Sequence, residues 1–177
     1  SMKPSHSDSP HTSRRRFIQT SGAAAVGSVL AANVAFRGRA LAANADTLKV
    51  GLVGCGGRGT GAAGQALEAD ENIVLTAVGD AFEQRCQTAV QSLRSSPKAG
   101  VRERVKVTPD TMFSGLNAFQ SVIDSGVDVV LLATPPGFRP QHLAAAVSAG
   151  KHIFCEKPMA TDAAGVRSVM ESVRQAR

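Results

Sequence analysis

Leu48-Lys49-Val50-Gly51-Leu52-Val53-Gly54-Cys55-Gly56-Gly57-Arg58-Gly59 is the stretch that decides the fold of this chain. Its first half is a short apolar run, which is typical of a strand buried on both faces of a parallel sheet. Its second half is a G-x-G-x-x-G pattern, and the spacing after it predicts a helix from about Gly59 to Leu67. A strand, a glycine turn and a helix in this order predict a site for the phosphates of a dinucleotide.

Three glycines of this pattern have separate predicted roles. Gly54 allows a tight turn, Gly56 lets the backbone approach a pyrophosphate, and Gly59 lets the helix pack closely on the sheet. The first N–H groups of that helix and its positive dipole end then face the pyrophosphate. Gly57 lies in the same turn. Arg58 is a candidate for neutralising phosphate charge, with an ordinary exposed loop arginine as the alternative.

An acid follows the second predicted strand at the distance that a nucleotide site requires. The apolar run from Ile73 to Val78 predicts this strand, and Asp80 comes two residues later. A carboxylate about 20 residues beyond the last glycine can accept hydrogen bonds from the adenosine ribose, and its charge repels a 2′-phosphate. The sequence therefore predicts NAD in preference to NADP. A glycine-rich turn that binds nothing is the alternative, and the position of the acid argues against it.

The net charge of +6 over 177 residues is concentrated at the N-terminus. Residues 1–43 carry six basic residues and one acid, so the remainder of the chain is nearly neutral. Tryptophan and tyrosine are absent. Since there is neither a basic stripe nor a set of stacking aromatic residues, the sequence does not indicate a nucleic-acid partner. The three cysteines, Cys55, Cys86 and Cys155, lack the spacing of a metal site, and no metal site is predicted.

The N-terminal segment resembles a twin-arginine signal peptide. Ser13-Arg14-Arg15-Arg16-Phe17-Ile18-Gln19 resembles the export motif, and the Ala/Gly-rich run from Ser21 to Phe36 is shorter than a membrane span of about 20 residues. Ala40-Leu41-Ala42 matches an A-x-A cleavage signal. Residues 1–42 are therefore predicted to be a cleaved leader, and residues 43–177 the exported, periplasmic domain. An uncleaved anchor and a disordered basic tail are the alternatives.

This resemblance implies the twin-arginine translocase as a partner during export. That route moves proteins already folded in the cytoplasm, so a cofactor can be loaded before export. There is no obvious pool of free dinucleotide outside the inner membrane. The expectation that follows is a cofactor that is held tightly and recycled in place.

Beyond Asp80 the pattern continues to alternate between helices and strands. Helices are predicted at 82–93, 116–123, 141–149 and 161–177, and strands within 101–107 and at 127–133 and 152–155. Right-handed crossovers then give an α/β fold with a Rossmann-type doubly wound parallel sheet. With a strand order of 3-2-1-4-5, strands one and five lie roughly 10 Å apart. That separation exceeds the reach of a disulfide between Cys55 and Cys155.

Two predicted loops give the chain a resemblance to the glucose-fructose oxidoreductase and inositol dehydrogenase family (Gfo/Idh/MocA). Leu132-Ala133-Thr134-Pro135 matches the A-T-P loop of this family. Ala149-Gly150-Lys151-His152-Ile153-Phe154-Cys155-Glu156-Lys157-Pro158 matches its A-G-K-H-V-x-x-E-K-P motif. The resemblance covers essentially everything after the leader. It implies NAD(P)-dependent oxidation or reduction of a sugar, polyol or related carbinol.

The resemblance also implies roles for individual residues. Lys157 would be catalytic, since the family's lysine lies by the nicotinamide and orients the substrate hydroxyl. Glu156 would contact the nicotinamide ribose, and Thr134 and Pro135 would line the cofactor site. His142 is an imperfect match to the family's histidine, because the spacing is longer and the usual Asn of the loop is a proline. For Glu156 and Lys157, an ordinary exposed pair of charges is the alternative.

Members of this family follow the Rossmann domain with a second, α+β domain. It covers the nicotinamide, forms the oligomer interface and carries the His and Asp that move the substrate proton. The resemblance therefore implies that these 177 residues are the cofactor-binding half of a longer, homo-oligomeric protein and are inactive alone. An NAD-dependent glycoside hydrolase of the same family is one alternative function. A non-catalytic dinucleotide-binding module is another.

Overall fold

A computed structural model describes residues 47–176 of the chain. The predicted export motif around Arg14 and Arg15 and the cleavage signal at Ala40-Leu41-Ala42 lie outside these described residues. The boundary predicted after residue 42 therefore lies outside them as well.

A single parallel sheet forms the centre of the described part of the chain. Its strand order is β3-β2-β1-β4-β5, and every pair of neighbouring strands is parallel. This confirms the predicted Rossmann-type sheet and its order. The strands are β1 Leu48–Val53, β2 Ile73–Asp80, β3 Met112–Ser114, β4 Val129–Leu132 and β5 His152–Cys155.

Helices cover both faces of the sheet, which makes the fold doubly wound. Successive strand residues point to opposite faces, so Leu52 belongs to one buried cluster and Val53 to the other. Helices α1 to α3 contribute to the first cluster, and α4 to α6 contribute to the second. The helices are α1 Gly57–Ala69, α2 Glu83–Arg94, α3 Ala99–Glu103, α4 Ala118–Asp124, α5 Arg139–Ser148 and α6 Ala163–Gln175.

The last helix begins at a residue that the sequence predicts as its cap. Asp162 accepts a hydrogen bond from the backbone N–H of Gly165 at 2.6 Å. This contact satisfies one of the N–H groups that a helix start leaves unpaired. The sequence predicts either Thr161 or Asp162 as the N-cap of this helix, and the structure confirms Asp162.

The third strand is not where the sequence predicts it, and the prediction within 101–107 is wrong. Val101 lies in α3, while Val105 forms only an isolated bridge to Leu75. Val101, inside α3, and Val105, just beyond its end, are both buried in the first core cluster, so the segment packs on the sheet without forming a strand. The paired strand is the three-residue β3, which pairs with the end of β2 at Asp80. Its apolar run is too short to give a periodic signal.

Candidate functional site

The carboxyl edge of the sheet, where ligands of such folds bind, collects the residues predicted for the site. They come from four strand ends, so residues distant in sequence become neighbours. The backbone joins two of these ends, because the N–H of Gly54 donates to the carbonyl of Gly79 at 2.8 Å. The predicted residues at this edge are the glycine turn 54–59, Asp80, Thr134, Pro135, Glu156 and Lys157.

Close backbone packing explains two glycines of the turn. Gly54 has a φ of 98°, which lies in the left-handed region, and a Cβ there would be 2.6 Å from the backbone nitrogen of Thr134. A Cβ on Gly59 would overlap the carbonyl oxygen of Gly54. The protein itself therefore excludes side chains at both positions.

Gly56 has a different physical reason to be glycine. A Cβ added there would meet no atom within 4 Å, and the same is true of Gly57. Gly56 is the N-cap of α1, and the helix start has neither a side-chain cap nor an acid in its first turn. The uncapped N–H groups carry the positive end of the helix dipole, which makes this space suitable for an anion. The arrangement can therefore hold a phosphate group.

Asp80 is buried at the end of β2, with 8% of its surface exposed, and it supports the glycine turn. Its Oδ2 accepts a hydrogen bond from the N–H of Cys55 at 2.8 Å, and its Oδ1 accepts one from the N–H of Phe82 at 3.1 Å. Each carboxylate oxygen has a further acceptor site. Asp80 can therefore accept hydrogen bonds from a ribose while it holds the turn.

A cavity of about 230 Å³ opens beside Asp80. Its walls are largely aromatic and aliphatic, and the guanidinium carbon of Arg85 lies 5.1 Å from the centre of the Phe82 ring. Apolar walls with a carboxylate at the side suit a flat base and its attached ribose. The lining residues include Asp80, Phe82, Arg85, Leu116, Phe119, Thr134, Pro135, Phe138 and His142.

His142 is buried behind the loop that follows β4. Its Nδ1 lies 3.1 Å from Oγ1 of Thr134, and its ring stacks on Phe119 with 4.2 Å between ring centres. Burial lowers the pKa of His142 to about 4. The imidazole is therefore neutral near pH 7, and it fixes the side chain of Thr134. The sequence left the role of His142 open, and the structure places it as a support of this loop.

We expect the buried His142 to make the fold sensitive to acid. Its pKa is about 4 when folded and about 6.5 when unfolded, so the unfolded chain takes up the extra proton between these values. The free energy of unfolding should therefore fall as the pH falls through this window, by up to about 1.4 kcal/mol per pH unit. His142→Asn, which keeps a polar atom near Thr134, should remove this contribution. Urea unfolding at several pH values measures it, and equal slopes for parent and variant would contradict the expectation.

An ion pair connects the glycine turn with the end of β5. The guanidinium of Arg58 contacts the carboxylate of Glu156. The Glu156 side chain is only 9% exposed, and Arg58 holds the pKa of this carboxyl below its usual value. Glu156 therefore pairs with Arg58 rather than with its neighbour Lys157, and it is not one half of a solvated pair.

Lys157 differs from Glu156 in being exposed. It directly follows the buried carboxylate and precedes Pro158 through a cis peptide bond. Among the ion pairs within residues 47–176, none includes Lys157. Its ammonium can therefore donate hydrogen bonds to a ligand at this end of the edge.

Arg139 is a residue of this region that the sequence reasoning missed. It begins α5, and its guanidinium donates to the carbonyl oxygens of Thr134, at 2.7 Å, and Pro158. One signal in the sequence could have found it. A basic residue at a helix start is unfavourable for the helix dipole, so such a residue suggests a role elsewhere.

The described range contains no disulfide, no metal cluster and no helix that could cross a membrane. Cys55, Cys86 and Cys155 are all unpaired, and burial raises the pKa of the Cys155 thiol. Between residues 47 and 176, no cluster of His, Cys, Asp and Glu could hold a metal ion. In the same part of the chain, none of the helices has the length and apolar character needed to cross a membrane.

Comparison with known proteins gives a family match over residues 48–177, to the Gfo/Idh/MocA oxidoreductase family with an NAD-binding Rossmann fold. Inositol 2-dehydrogenase of Acidiphilium cryptum (strain JF-5) is 28% identical over 126 residues, which are 71% of this chain and 33% of that protein. Glycosyl hydrolase family 109 protein 2 of Shewanella sp. (strain ANA-3) is 32% identical over 116 residues, which are 65% of this chain and 24% of that protein.

The fold also has solved counterparts. The structure of scyllo-inositol dehydrogenase from Lactobacillus casei, with bound NAD(H) and scyllo-inositol, gives a TM-score of 0.58 at 23% identity. That match covers 74% of this chain and 34% of the other. The chain spans about a third of the length of the curated relatives it matches.

Proposed function

Because the chain belongs to the Gfo/Idh/MocA oxidoreductases, whose Rossmann domain binds NAD, we propose that it is the cofactor-binding part of an enzyme. This enzyme oxidises or reduces a carbinol of a sugar or polyol. One observation carries this proposal. The same sheet edge has an open, uncapped helix start at Gly56 and an exposed lysine, Lys157, beside a buried carboxylate. The first feature suits a phosphate, and the second suits a substrate oxygen.

The described residues fit the cofactor from one end of the edge to the other. The cavity beside Asp80 takes the adenine and its ribose, and the N–H groups of α1 around Gly56 take the pyrophosphate. Glu156 then accepts a hydrogen bond from the nicotinamide ribose. Bound NAD supplies the hydride acceptor, or in reduced form the donor. Lys157 orients the substrate hydroxyl and stabilises negative charge that develops on its oxygen.

The position of Asp80 predicts which dinucleotide binds more tightly. Its carboxylate lines the cavity, so a 2′-phosphate would meet a buried like charge. NAD should therefore bind roughly tenfold or more tightly than NADP. Calorimetric titration with each dinucleotide measures the ratio. Asp80→Asn keeps a hydrogen-bond acceptor but loses the charge, so the difference in affinity between NAD and NADP should become smaller. Equal affinity of the parent protein for the two dinucleotides would contradict the assignment.

A redox-neutral glycoside hydrolase is the second candidate function. The similarity to a glycosyl hydrolase family 109 protein at 32% identity supports it. In such an enzyme bound NAD oxidises the sugar only transiently, so no net NADH forms. To test this, the complete protein is incubated with polyols and with glycosides, and net NADH and released sugar are measured separately. Net NADH from a polyol supports the dehydrogenase, and released sugar without net NADH supports the hydrolase. Neither product with any substrate would favour a binding module.

The complete protein is proposed to have a second domain and to form a homo-oligomer through it. The match to only about a third of the inositol 2-dehydrogenases, and to 24% of the glycosyl hydrolase family 109 protein, supports this proposal. The second domain would cover the nicotinamide and supply the groups that move the substrate proton. The domain described here would then bind the cofactor but would not turn over substrate alone.

Export to the periplasm is proposed from the sequence around Arg14 and Arg15. The leader should be cleaved after Ala42, so the mature protein should begin at Ala43, with its cofactor loaded before export and tightly held. N-terminal sequencing of periplasmic protein tests the cleavage. Arg14→Lys with Arg15→Lys should abolish export, and undiminished export of this variant would contradict the route.

A further inference from the structure

The side chain of Arg139 connects two loops at the sheet edge. It is 4% exposed, and one terminal nitrogen donates to the carbonyl oxygen of Thr134 at 2.7 Å. The other terminal nitrogen donates to the carbonyl oxygen of Pro158. A single guanidinium therefore holds the loop that follows β4 to the loop that follows β5.

Stability alone does not explain an arginine at this position. Its charge lies at the start of α5, where the helix dipole disfavours a cation. None of the ion pairs found within residues 47–176 includes Arg139, and its buried Nε has no hydrogen-bond partner. Burying a charge costs free energy, and the carboxylate of Glu156, whose pKa is lowered by Arg58 and also by Arg139, offsets only part of this cost. The two carbonyl contacts therefore come with a cost that an apolar side chain at this position would not have.

The geometry of those contacts indicates the purpose. The planar guanidinium presents its donors in a rigid fork, so its two terminal nitrogens hold two carbonyl oxygens in a fixed relation. A lysine has rotatable donors on a single nitrogen and would not fix them in the same way. Pro158 is the residue directly after Lys157, so the anchor is one residue from the exposed ammonium. On the other side Thr134 is held twice, through its carbonyl by Arg139 and through its hydroxyl by His142.

We propose that Arg139 is a positioning residue, which holds the loop of Lys157 against the loop of Thr134 so that the Lys157 ammonium stays in place for the substrate. This inference rests on the proposed function, in which Lys157 meets the substrate. Arg139 itself contacts only backbone carbonyls, so it acts through Lys157.

Kinetics of the complete protein test the consequence for the substrate. Arg139→Met should lower kcat about 10-fold to 100-fold, because displacement of a reacting group by about 1 Å has effects of this size. The Kd for NAD should change much less than kcat, by less than about threefold, since the glycine turn and Asp80, which carry most of the expected cofactor contacts, are not held by Arg139. Arg94→Met is the matched control, because Arg94 also donates to a carbonyl, that of Val107 at 2.6 Å, away from the site. The control should keep the parent kcat.

Amide hydrogen exchange gives a readout that does not need activity. Exchange between Glu156 and Ala160 should become faster in Arg139→Met than in the parent and in Arg94→Met, since a released loop opens more often. If the parent protein turns over no polyol or glycoside, the proposed function fails. The comparison of exchange rates between Arg139→Met, the parent and Arg94→Met still decides whether Arg139 holds the loop. Unchanged exchange between Glu156 and Ala160 would overturn the inference.

A double variant distinguishes positioning from a general loss of structure. If Arg139 acts only through Lys157, Arg139→Met combined with Lys157→Ala should be no slower than Lys157→Ala alone. Losses that multiply would overturn the inference. If Arg139→Met does not fold, Arg139→Lys keeps the charge but has all its N–H donors on one nitrogen instead of in a planar fork, and it should have an intermediate kcat with normal NAD affinity. If Arg139→Lys has the kcat of the parent, the planar guanidinium is not needed to hold the two loops, and the inference is overturned.

Discussion

Gly56→Val should abolish NAD binding and leave the fold intact. An added Cβ at Gly56 meets no protein atom within 4 Å, so the substitution opens into free space rather than into the protein. The same side chain occupies the space in front of the uncapped start of α1, where the pyrophosphate is expected. We expect NAD affinity to fall by roughly three orders of magnitude, about 4 kcal/mol. Calorimetric titration measures the affinity, and circular dichroism checks the fold.

Gly61→Val is the control for this experiment. Gly61 is an exposed position of α1 with equally open surroundings, because a Cβ there also meets nothing within 4 Å. It lies beyond the first turn of the helix, so valine at this position should leave NAD affinity within about threefold of the parent. Equal NAD affinity in Gly56→Val and the parent would mean that the dinucleotide does not bind at this turn.

Lys157→Ala should slow turnover and spare cofactor binding. The lysine follows β5, two strands from β1 and three from β2, whose ends carry the glycine turn and Asp80. Those two features carry most of the expected dinucleotide contacts. Loss of an ammonium that orients the substrate hydroxyl should lower kcat/KM of the complete protein about 100-fold or more, roughly 3 kcal/mol. Steady-state kinetics measures the loss, and titration with NAD should give a Kd close to that of the parent.

An exposed lysine elsewhere provides the control. Lys106→Ala removes the same kind of side chain from a segment that pairs with Leu75, inside β2 and away from its carboxyl end. It should have the kinetics of the parent. If Lys157→Ala is also within about threefold of the parent, a difference of about 0.65 kcal/mol, then Lys157 is a surface lysine. The catalytic groups would then have to come from outside the described residues.

The order of the strands could be predicted because each main strand has a local signal. The run before Gly54, the run before Asp80 and the run from Val127 to Ala133 are apolar and end at turns. The third strand had no such signal, since Met112–Ser114 has only three residues and gains its place by pairing with the end of β2. Strands of this length are set by tertiary contacts rather than by local pattern.

The residues of the site could be predicted better than their contacts. Strand ends are visible in the sequence, so Asp80, Glu156 and Lys157 could be placed at one edge. The pairing of Arg58 with Glu156 joins residues almost 100 positions apart, and no local pattern encodes it. The fork of Arg139 is similar, because it depends on where two carbonyl groups point after folding.

The sheet separates two core layers, and they support different parts of the edge. Cys55, a residue of the glycine turn, belongs to the first layer. Leu143 and Val169 belong to the second layer, against which Cys155 and Met159 pack. Two substitutions, one in each layer, that share no contacts should therefore have additive effects on the free energy of unfolding. Over evolution, a lineage could therefore remodel the layer beneath the loop of Lys157, and with it the proposed substrate contact, while the turn proposed for the phosphates stays unchanged.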